Sequence, residues 1–408
     1  MQKLGWFIKL LFGTFSIFLV TQKVIMGVNL SFADLLLLPV CVALIYSERF
    51  SLPPKVVVTF LFFSVWTLCV SIIISCGING YALDLDAVLI DYLKLFVCFL
   101  YLCIGICFAK YNIWKFFLKK YAGTSVVVSL LGIFLTISMK MGFINSESFY
   151  TGNRYQGFTD DPNLFAIMQL VGLSYYLFSE NINERFRLIG ITIISCGVVL
   201  SGSKTGIIVL IFLLFGKNFS IAFNMNSNFK VSVKKMRNKL VLICILVVMC
   251  FTAFYMEDVI REIVPASNRI FYLFENFEQG MTNDGSSREN VWLNSLEVIN
   301  QNMIFGTGVG AYLPVSEYLT GQRVLAHNTY LQILAEWGLP LGATFFIYIF
   351  ISTRRYFLGK GNKDAYLIPI IMVLFSGSLS LSLNNNRIFW LVIGALLAFS
   401  EKKKWKKV

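Results

Sequence analysis

Apolar residues in this chain come in blocks, with little of the strict alternation that marks a half-buried strand. Twelve blocks are separated by polar or glycine-bearing breaks, at residues 6–20, 33–46, 56–75, 89–109, 121–139, 162–178, 186–200, 205–215, 240–256, 331–352, 366–383 and 389–400. Runs of this kind predict helices that cross a bilayer, whose hydrocarbon core takes about 20 residues of helix. The expected fold is an all-α polytopic membrane protein with about 12 transmembrane helices. The seventh and eighth blocks meet at SGSKTG, and hydropathy alone leaves open whether they form one helix or two.

Composition agrees with the pattern. The 408 residues are 57% apolar and 14% charged, against about 45–50% and about 25% in soluble domains. A disordered chain needs the opposite balance. The net charge of +13 brings nucleic acid to mind until the basic residues are placed. With twelve spans and a cytoplasmic N-terminus, 25 of the 35 Lys and Arg fall on the cytoplasmic side, as the positive-inside rule requires. Fusing the seventh and eighth blocks would move the cluster from Lys217 to Lys239 outside, so two helices are expected there. The basic tail EKKKWKKV then reads as a solvated cytoplasmic end near anionic lipid, and nucleic acid drops out as a partner. The first block follows Lys3 and Lys9 without a small-x-small cleavage site after it, which predicts a retained helix. The nine cysteines lie in or beside apolar runs with no CxxC pattern. They read as buried hydrophobes and not as metal ligands or disulfides.

One hydrophilic segment stands apart. Residues 257–327 hold nine acids and four arginines with no spanning run. This divides the chain into helices one to nine (residues 1–256), a large extracytoplasmic loop (257–327), and helices ten to twelve with the basic tail (328–408), all one integral domain. Long loops in proteins of short loops are usually functional or disordered. This one carries order signals: Ser286 and Glu289 form a capping-box pair, and Val291, Trp292, Leu296 and Ile299 recur at helical spacing. A short amphipathic helix over 287–302 is expected. GTGVG at 306–310 follows no strand and lacks the acidic partner of a dinucleotide site, so it is expected to be a flexible turn outside the membrane.

Ionisable groups beside a bilayer core are functional candidates by default. The predicted topology gathers Asp34, Asp91, Lys94, Arg154, Asp160, Asp161, Lys204, Arg288, His327, Glu336 and Arg387 at the extracytoplasmic level. Asp91 and Lys94 are also spaced to neutralise each other at i, i+3. His327 is the only histidine. It ends the long loop and opens a spanning helix, and imidazole is suited to taking a proton near neutral pH. A single histidine cannot build a multi-His metal site. Arg288 falls in the first turn of the predicted loop helix, where the guanidinium and free N–H groups both favour an anion. Arg154 lies in NRYQGFTDDPN, ahead of the helix opened by Pro162, and Lys204 sits in the SGSKTG turn. Three cations and a base at one face suit a lipid-linked phosphate or diphosphate.

These residues carry a resemblance. RYQGFTDDPNLFA from Arg154, LSGSKTG from Leu200, SRENVWLNSLEVINQNMIFGTGVGAYL from Ser287 and HNTYLQILAEWGLPLG from His327 occur in the order seen in the O-antigen ligase/polymerase superfamily of bacterial membrane glycosyltransferases, which the chain resembles. The family often has Arg where Lys204 stands. The resemblance implies a C-type glycosyltransferase-like fold in the bacterial cytoplasmic (inner) membrane, with both termini cytoplasmic and the active site extracytoplasmic. It implies transfer of a glycan from a polyprenyl-diphosphate carrier to an acceptor hydroxyl, with no metal and no cofactor. His327 would activate the hydroxyl, and Arg288 and Arg154 would hold the diphosphate, with Lys204, Asn328, Glu336 and Asp161 as further contacts to diphosphate or glycan. The expected activity is polymerisation of lipid-linked repeat units into O-antigen or capsular-type polysaccharide. Ligation to lipid A–core is the alternative within the family, and a transporter or flippase of lipid-linked glycans is the competing class. Expected partners are the lipid-linked donor, the glycan acceptor, the bilayer, a chain-length regulator and a flippase.

Overall fold

The computed structural model describes residues 5–25, 28–143, 147–179, 182–223, 257–275, 288–359 and 366–401. The expected span at 240–256, most of the basic segment before it, the capping residue Ser286 and most of the basic tail lie outside these residues. In chain order the elements are α1 (Trp6–Phe18), a hairpin of β1 (Lys23–Ile25) and β2 (Val28–Leu30), a 3-10 turn (Phe32–Leu36) leading into α2 (Leu37–Tyr46), α3 (Pro54–Cys69) continuing as a π-helix (Val70–Ile78), α4 (Leu85–Lys110) and α5 (Trp114–Lys140). There follow a hairpin of β3 (Tyr150–Thr151) and β4 (Arg154–Tyr155), α6 (Pro162–Phe178), α7 (Glu184–Leu200), α8 (Lys204–Phe223), α9 (Glu257–Ile263) and α10 (Asn268–Glu275). The last are α11 (Arg288–Gln301), α12 (Tyr312–Thr320), α13 (Thr329–Leu358), α14 (Leu367–Gly377) and α15 (Arg387–Ser400). The protein is a helical membrane protein, and among the described residues two small hairpins depart from the all-α expectation. Among the described residues four helices are long and apolar enough to cross a membrane: Pro54–Ile78, Leu85–Lys110, Trp114–Lys140 and Thr329–Leu358. Six further apolar helices are shorter.

The helices begin where short polar side chains or proline can serve the first turn. Asp84, Asp161, Asn183, Asn328 and Asn386 each accept hydrogen bonds from amides of the turn that follows, satisfying donors that a helix leaves open. Pro54 and Pro162 occupy first-turn positions that need no N–H. Helices α7 and α8 are separate, joined by a turn at residues 201–203.

The chain forms two compact units, residues 1–124 with 282–408, and residues 125–281. In the first, α4 and α15 pack backbone to backbone. A Cβ on Gly105 would lie 2.0 Å from the Leu391 carbonyl oxygen, and one on Gly394 would lie 2.0 Å from that of Leu102. Small residues permit such approach between helices in lipid. Arg387 opens α15 and is 3% exposed, with its guanidinium 2.8 Å from Asp34 Oδ2. The Tyr101 hydroxyl donates to Asp34 Oδ1 at 2.8 Å, so the buried charges are met on both sides, as burial demands. In the second unit α6 is buried along nearly its whole length, and Gly197 of α7 admits Ser129 of α5.

The segment 302–310 overturns the expectation of a flexible external turn. It runs between α3 with its π-helical extension, α4 and α13. Ser71 and Ser75 donate to the Val309 and Thr307 carbonyls at 2.7 and 2.8 Å. Asn79 Nδ2 donates to Asn302 Oδ1 at 3.3 Å. Gly306, Gly308 and Gly310 all have positive φ. A Cβ on Gly308 would lie 2.3 Å from Ser71 Oγ, and one on Gly310 would lie 2.5 Å from Val88 Cα. Helix α13 is shaped to receive the segment. Gly338, at φ 76° and ψ 163°, breaks it, and Pro340 follows. The break frees hydrogen-bonding groups that the segment uses: Thr307 and Gly308 N–H donate to the Ala335 and Glu336 carbonyls at 2.9 Å each, and Leu339 N–H donates to the Met303 carbonyl at 2.8 Å. Non-helical backbone at membrane depth persists where protein satisfies it. The expected unbroken span at 331–352 is therefore two helical arms meeting at Gly338.

Candidate active site

His327 stands in the first unit, exposed, in the residue pair that precedes α13. Its φ of 47° is in the left-handed region, which costs a residue with a Cβ and needs surrounding structure to hold it. That structure is present on both sides. Before it, the buried Ala326 N–H donates to Gln332 Oε1 at 3.2 Å. After it, Asn328 caps α13 by accepting from Tyr330 and Leu331 N–H at 2.9 and 3.2 Å. Thr329 is tied into the loop beyond α14: its N–H donates to the Ser378 carbonyl at 2.8 Å, its hydroxyl donates to the Leu381 carbonyl at 2.6 Å, and that hydroxyl accepts from Leu383 N–H at 2.8 Å. The imidazole thus projects from a backbone fixed at both neighbours. Asn328, expected as a substrate contact, is 6% exposed and its carbonyl oxygen is occupied by the cap.

Glu336 lies further along α13. Gln332 Nε2 donates to its carboxylate, so one buried amide links Glu336 to the N–H of Ala326, the residue before His327. Below the inserted segment is a cavity of about 30 Å³, whose lining includes Asp91, Glu336, Trp337, Asn384, Asn385 and Trp390. It has room for one or two waters, and a sugar ring does not fit it as it stands. Asp91 is paired with Lys94 at 2.8 Å, the mutual neutralisation that their spacing suggested.

Arg288 is the first residue of α11 and is half-buried. Among the described residues it has no hydrogen-bond or ion-pair partner. The helix it opens is held to the rest of the unit by Val291, Ser295, Val298 and Ile299, which are buried and, at spacings of 3, 7, 10 and 11, lie on the same side of the helix as Arg288. Ser295 and the Tyr312 hydroxyl are 2.8 Å apart. Burial raises the Tyr312 phenol above its ordinary value, so it remains a neutral hydrogen-bonding group.

Arg154, Asp161 and Lys204 belong to the second unit. Arg154 is on β4, and its Nε donates to the Ser201 carbonyl at 2.9 Å while a terminal nitrogen donates to Asn163 Oδ1 at 2.8 Å. Two segments singled out in the sequence, NRYQGFTDDPN and SGSKTG, are therefore neighbours. Asp161 caps α6, accepting from Asn163 N–H at 2.6 Å; this occupies one oxygen of a residue expected to contact substrate. Lys204, expected in the SGSKTG turn, is the residue that opens α8 and is 8% exposed. Ser201 is the residue that ends α7.

Sequence reasoning did not find Gln332, Thr329, Ser71 or Ser75. The partners of Thr329, Ser71 and Ser75 include main-chain groups far away in sequence, which periodicity does not register; Gln332 stands at i, i+4 spacing from Glu336, a signal that was available. The break at Gly338 had a signal, a glycine and a proline two residues apart inside an apolar run.

Residues 189–346 match the family model described as O-Antigen ligase. Over that stretch the chain is similar to the O-antigen ligases. The match contains Lys204, Arg288, His327, Asn328 and Glu336, and Arg154 and Asp161 precede it. It supports the resemblance to the O-antigen ligase/polymerase superfamily drawn from the four sequence segments. Among curated proteins none matches the chain.

Proposed function

We propose that this protein is a membrane glycosyltransferase of O-antigen or capsular-type polysaccharide synthesis, working at the extracytoplasmic face of the bacterial inner membrane. The donor is a glycan on polyprenyl diphosphate. An acceptor hydroxyl attacks the anomeric carbon, its proton passes to the His327 imidazole, and the bond from that carbon to the diphosphate oxygen breaks. Charge then builds on the departing diphosphate. Arg288, in the same unit as His327, is assigned to meet it, since fixed cations are most effective where charge develops. Neither metal nor cofactor is assigned a part. A polymerase is the preferred form, with a second lipid-linked repeat unit as acceptor and a flippase and chain-length regulator as partners. A ligase acting on lipid A–core is the alternative.

The observation that carries the reading is the setting of His327: exposed, in a left-handed conformation, and pinned at both neighbouring residues. Strained backbone held by its surroundings is a feature of functional sites, and the match to the O-antigen ligases includes this residue. The test is transfer by purified His327→Ala and His327→Gln at matched concentration. Both should fall by roughly a hundred- to ten-thousandfold, the range for loss of a general base, with normal protein levels. Near-normal activity of His327→Gln removes the base role. The glycan profile of a deletion strain separates the two family activities. A single repeat unit left on lipid A–core marks a polymerase, and loss of every attached unit marks a ligase.

The break in α13 favours a second reading. Broken helices beside polar cavities are common in transporters. Purified protein in detergent, where no compartments exist, decides: a transferase converts donor there, and a transporter does not.

A further inference from the structure

Helix α11 has three faces. Val291, Ser295, Val298 and Ile299 are buried against the unit. Asn290, Glu297 and Gln301 form an exposed polar face at spacings of seven and four. Between them runs an exposed apolar flank of Trp292, Leu293 and Leu296, with Leu293 57% exposed; Glu289 and Asn300 bound it at either end. The chain then leaves the helix through Met303, Ile304 and Phe305, all exposed, with Ile304 at 64%. A run of large apolar side chains on a hydrophilic loop calls for a covering.

The contacts of the same residues say what covers them. The Asn79–Asn302 hydrogen bond sets the end of α11 level with the end of the span Pro54–Ile78. Beyond that point the chain descends along the span. The Phe305 ring lies 5.8 Å from that of Trp66, and Met303 is bonded to Leu339 of α13. Trp66 in turn stacks with Phe62 at 6.3 Å, and Leu61, Phe62 and Val65 are exposed on a helix that crosses the bilayer. The apolar surface of the span thus continues through Phe305, Ile304 and Met303 onto the flank of α11. A helix with separate apolar and polar exposed faces, joined to a spanning surface, fits the membrane interface.

We infer that α11 lies in the membrane interface, with Trp292, Leu293, Leu296 and residues 303–305 in the lipid leaflet and Asn290, Glu297 and Gln301 in water. The helix that carries Arg288 is then anchored at headgroup depth. The contact requires only that the protein be inserted in a membrane and does not depend on the transferase reading.

The test is nitroxide accessibility in lipid nanodiscs, with single cysteines introduced as Leu296→Cys, Ile304→Cys, Asn290→Cys and Glu297→Cys in a full-length chain otherwise free of cysteine. The ratio of oxygen to nickel-chelate accessibility should be several-fold higher at 296 and 304 than at 290 and 297. Equal, water-like ratios at all four positions overturn the inference. So does protection of 296 and 304 from both reagents, which indicates a protein partner or a second copy on the flank. Should the cysteine-free chain fail to fold, brominated lipids supply a second measurement. Their quenching of tryptophan fluorescence should be smaller in Trp292→Phe than in wild type, and equal quenching counts against the inference. Neither measurement uses a donor, so failure of the glycosyl-transfer test leaves it standing.

Discussion

Two glycine-bearing turns of similar composition, one in each unit, are anchored in opposite ways. At 201–204, Gly202 turns the chain at φ 58°, and a charged side chain fastens the turn: Arg154 donates to the Ser201 carbonyl. At 306–310 the fastening is done by main chain, through amides and carbonyls shared with the broken α13 and through two serines of the π-helix. Arginine offers five donors in one rigid fork, so Arg154 alone holds a carbonyl of the turn and the Asn163 side chain. In the second turn the work is divided among main-chain groups of Thr307, Gly308 and Val309, each bonded to a neighbouring helix. Glycine content therefore says little about how a turn is held, and the groups that bond to it say more.

Substitutions at these two turns can break the contrast. The largest effect is expected for Gly308→Val. Its φ of 77° and the close approach of Ser71 Oγ and N, at 2.3 and 2.5 Å from the site of a Cβ, combine backbone strain with overpacking, together about 2–6 kcal/mol. Little monodisperse protein should survive extraction in detergent. Arg154→Ala is next. It leaves the Ser201 carbonyl and the Asn163 side chain without their charged donor, costing about 1.5–3 kcal/mol. Arg154→Lys can serve one of the two partners and should fall between. Ser75→Ala is the smallest, removing one hydrogen bond from the Thr307 carbonyl at about 1 kcal/mol. Thermal midpoints from size-exclusion after heating rank the set. A greater loss in Ser75→Ala than in Arg154→Ala would reverse the account of which turn depends on a single side chain.

The helices were legible because lipid imposes length and composition on them, and most expected spans have a helical counterpart within a few residues. The loop helix was legible too, from Val291 and Ile299 at helical spacing, and it runs from Arg288 to Gln301. His327 stood out by being single and by its place at a junction. The descent of 302–310 was not legible. Hydropathy reads a short glycine-rich piece as loop, and its depth depends on serines more than 200 residues away in sequence. The Asp34–Arg387 pair was hidden for the same reason: each residue was visible as a charge at a helix end, but nothing local joins the two.

That pair sets an order on biogenesis. The carboxylate at position 34 is translated 353 residues before the guanidinium that meets it, and until then the Tyr101 hydroxyl is the partner at hand. The helix beginning at Arg387 therefore acts as a latch, made late, on a segment translated long before it. A chain stopped before 387 keeps an acid in apolar surroundings without its cation, an imbalance worth about 3–5 kcal/mol. In a pulse-chase experiment such a chain should be cleared by membrane proteolysis much faster than one stopped after 401.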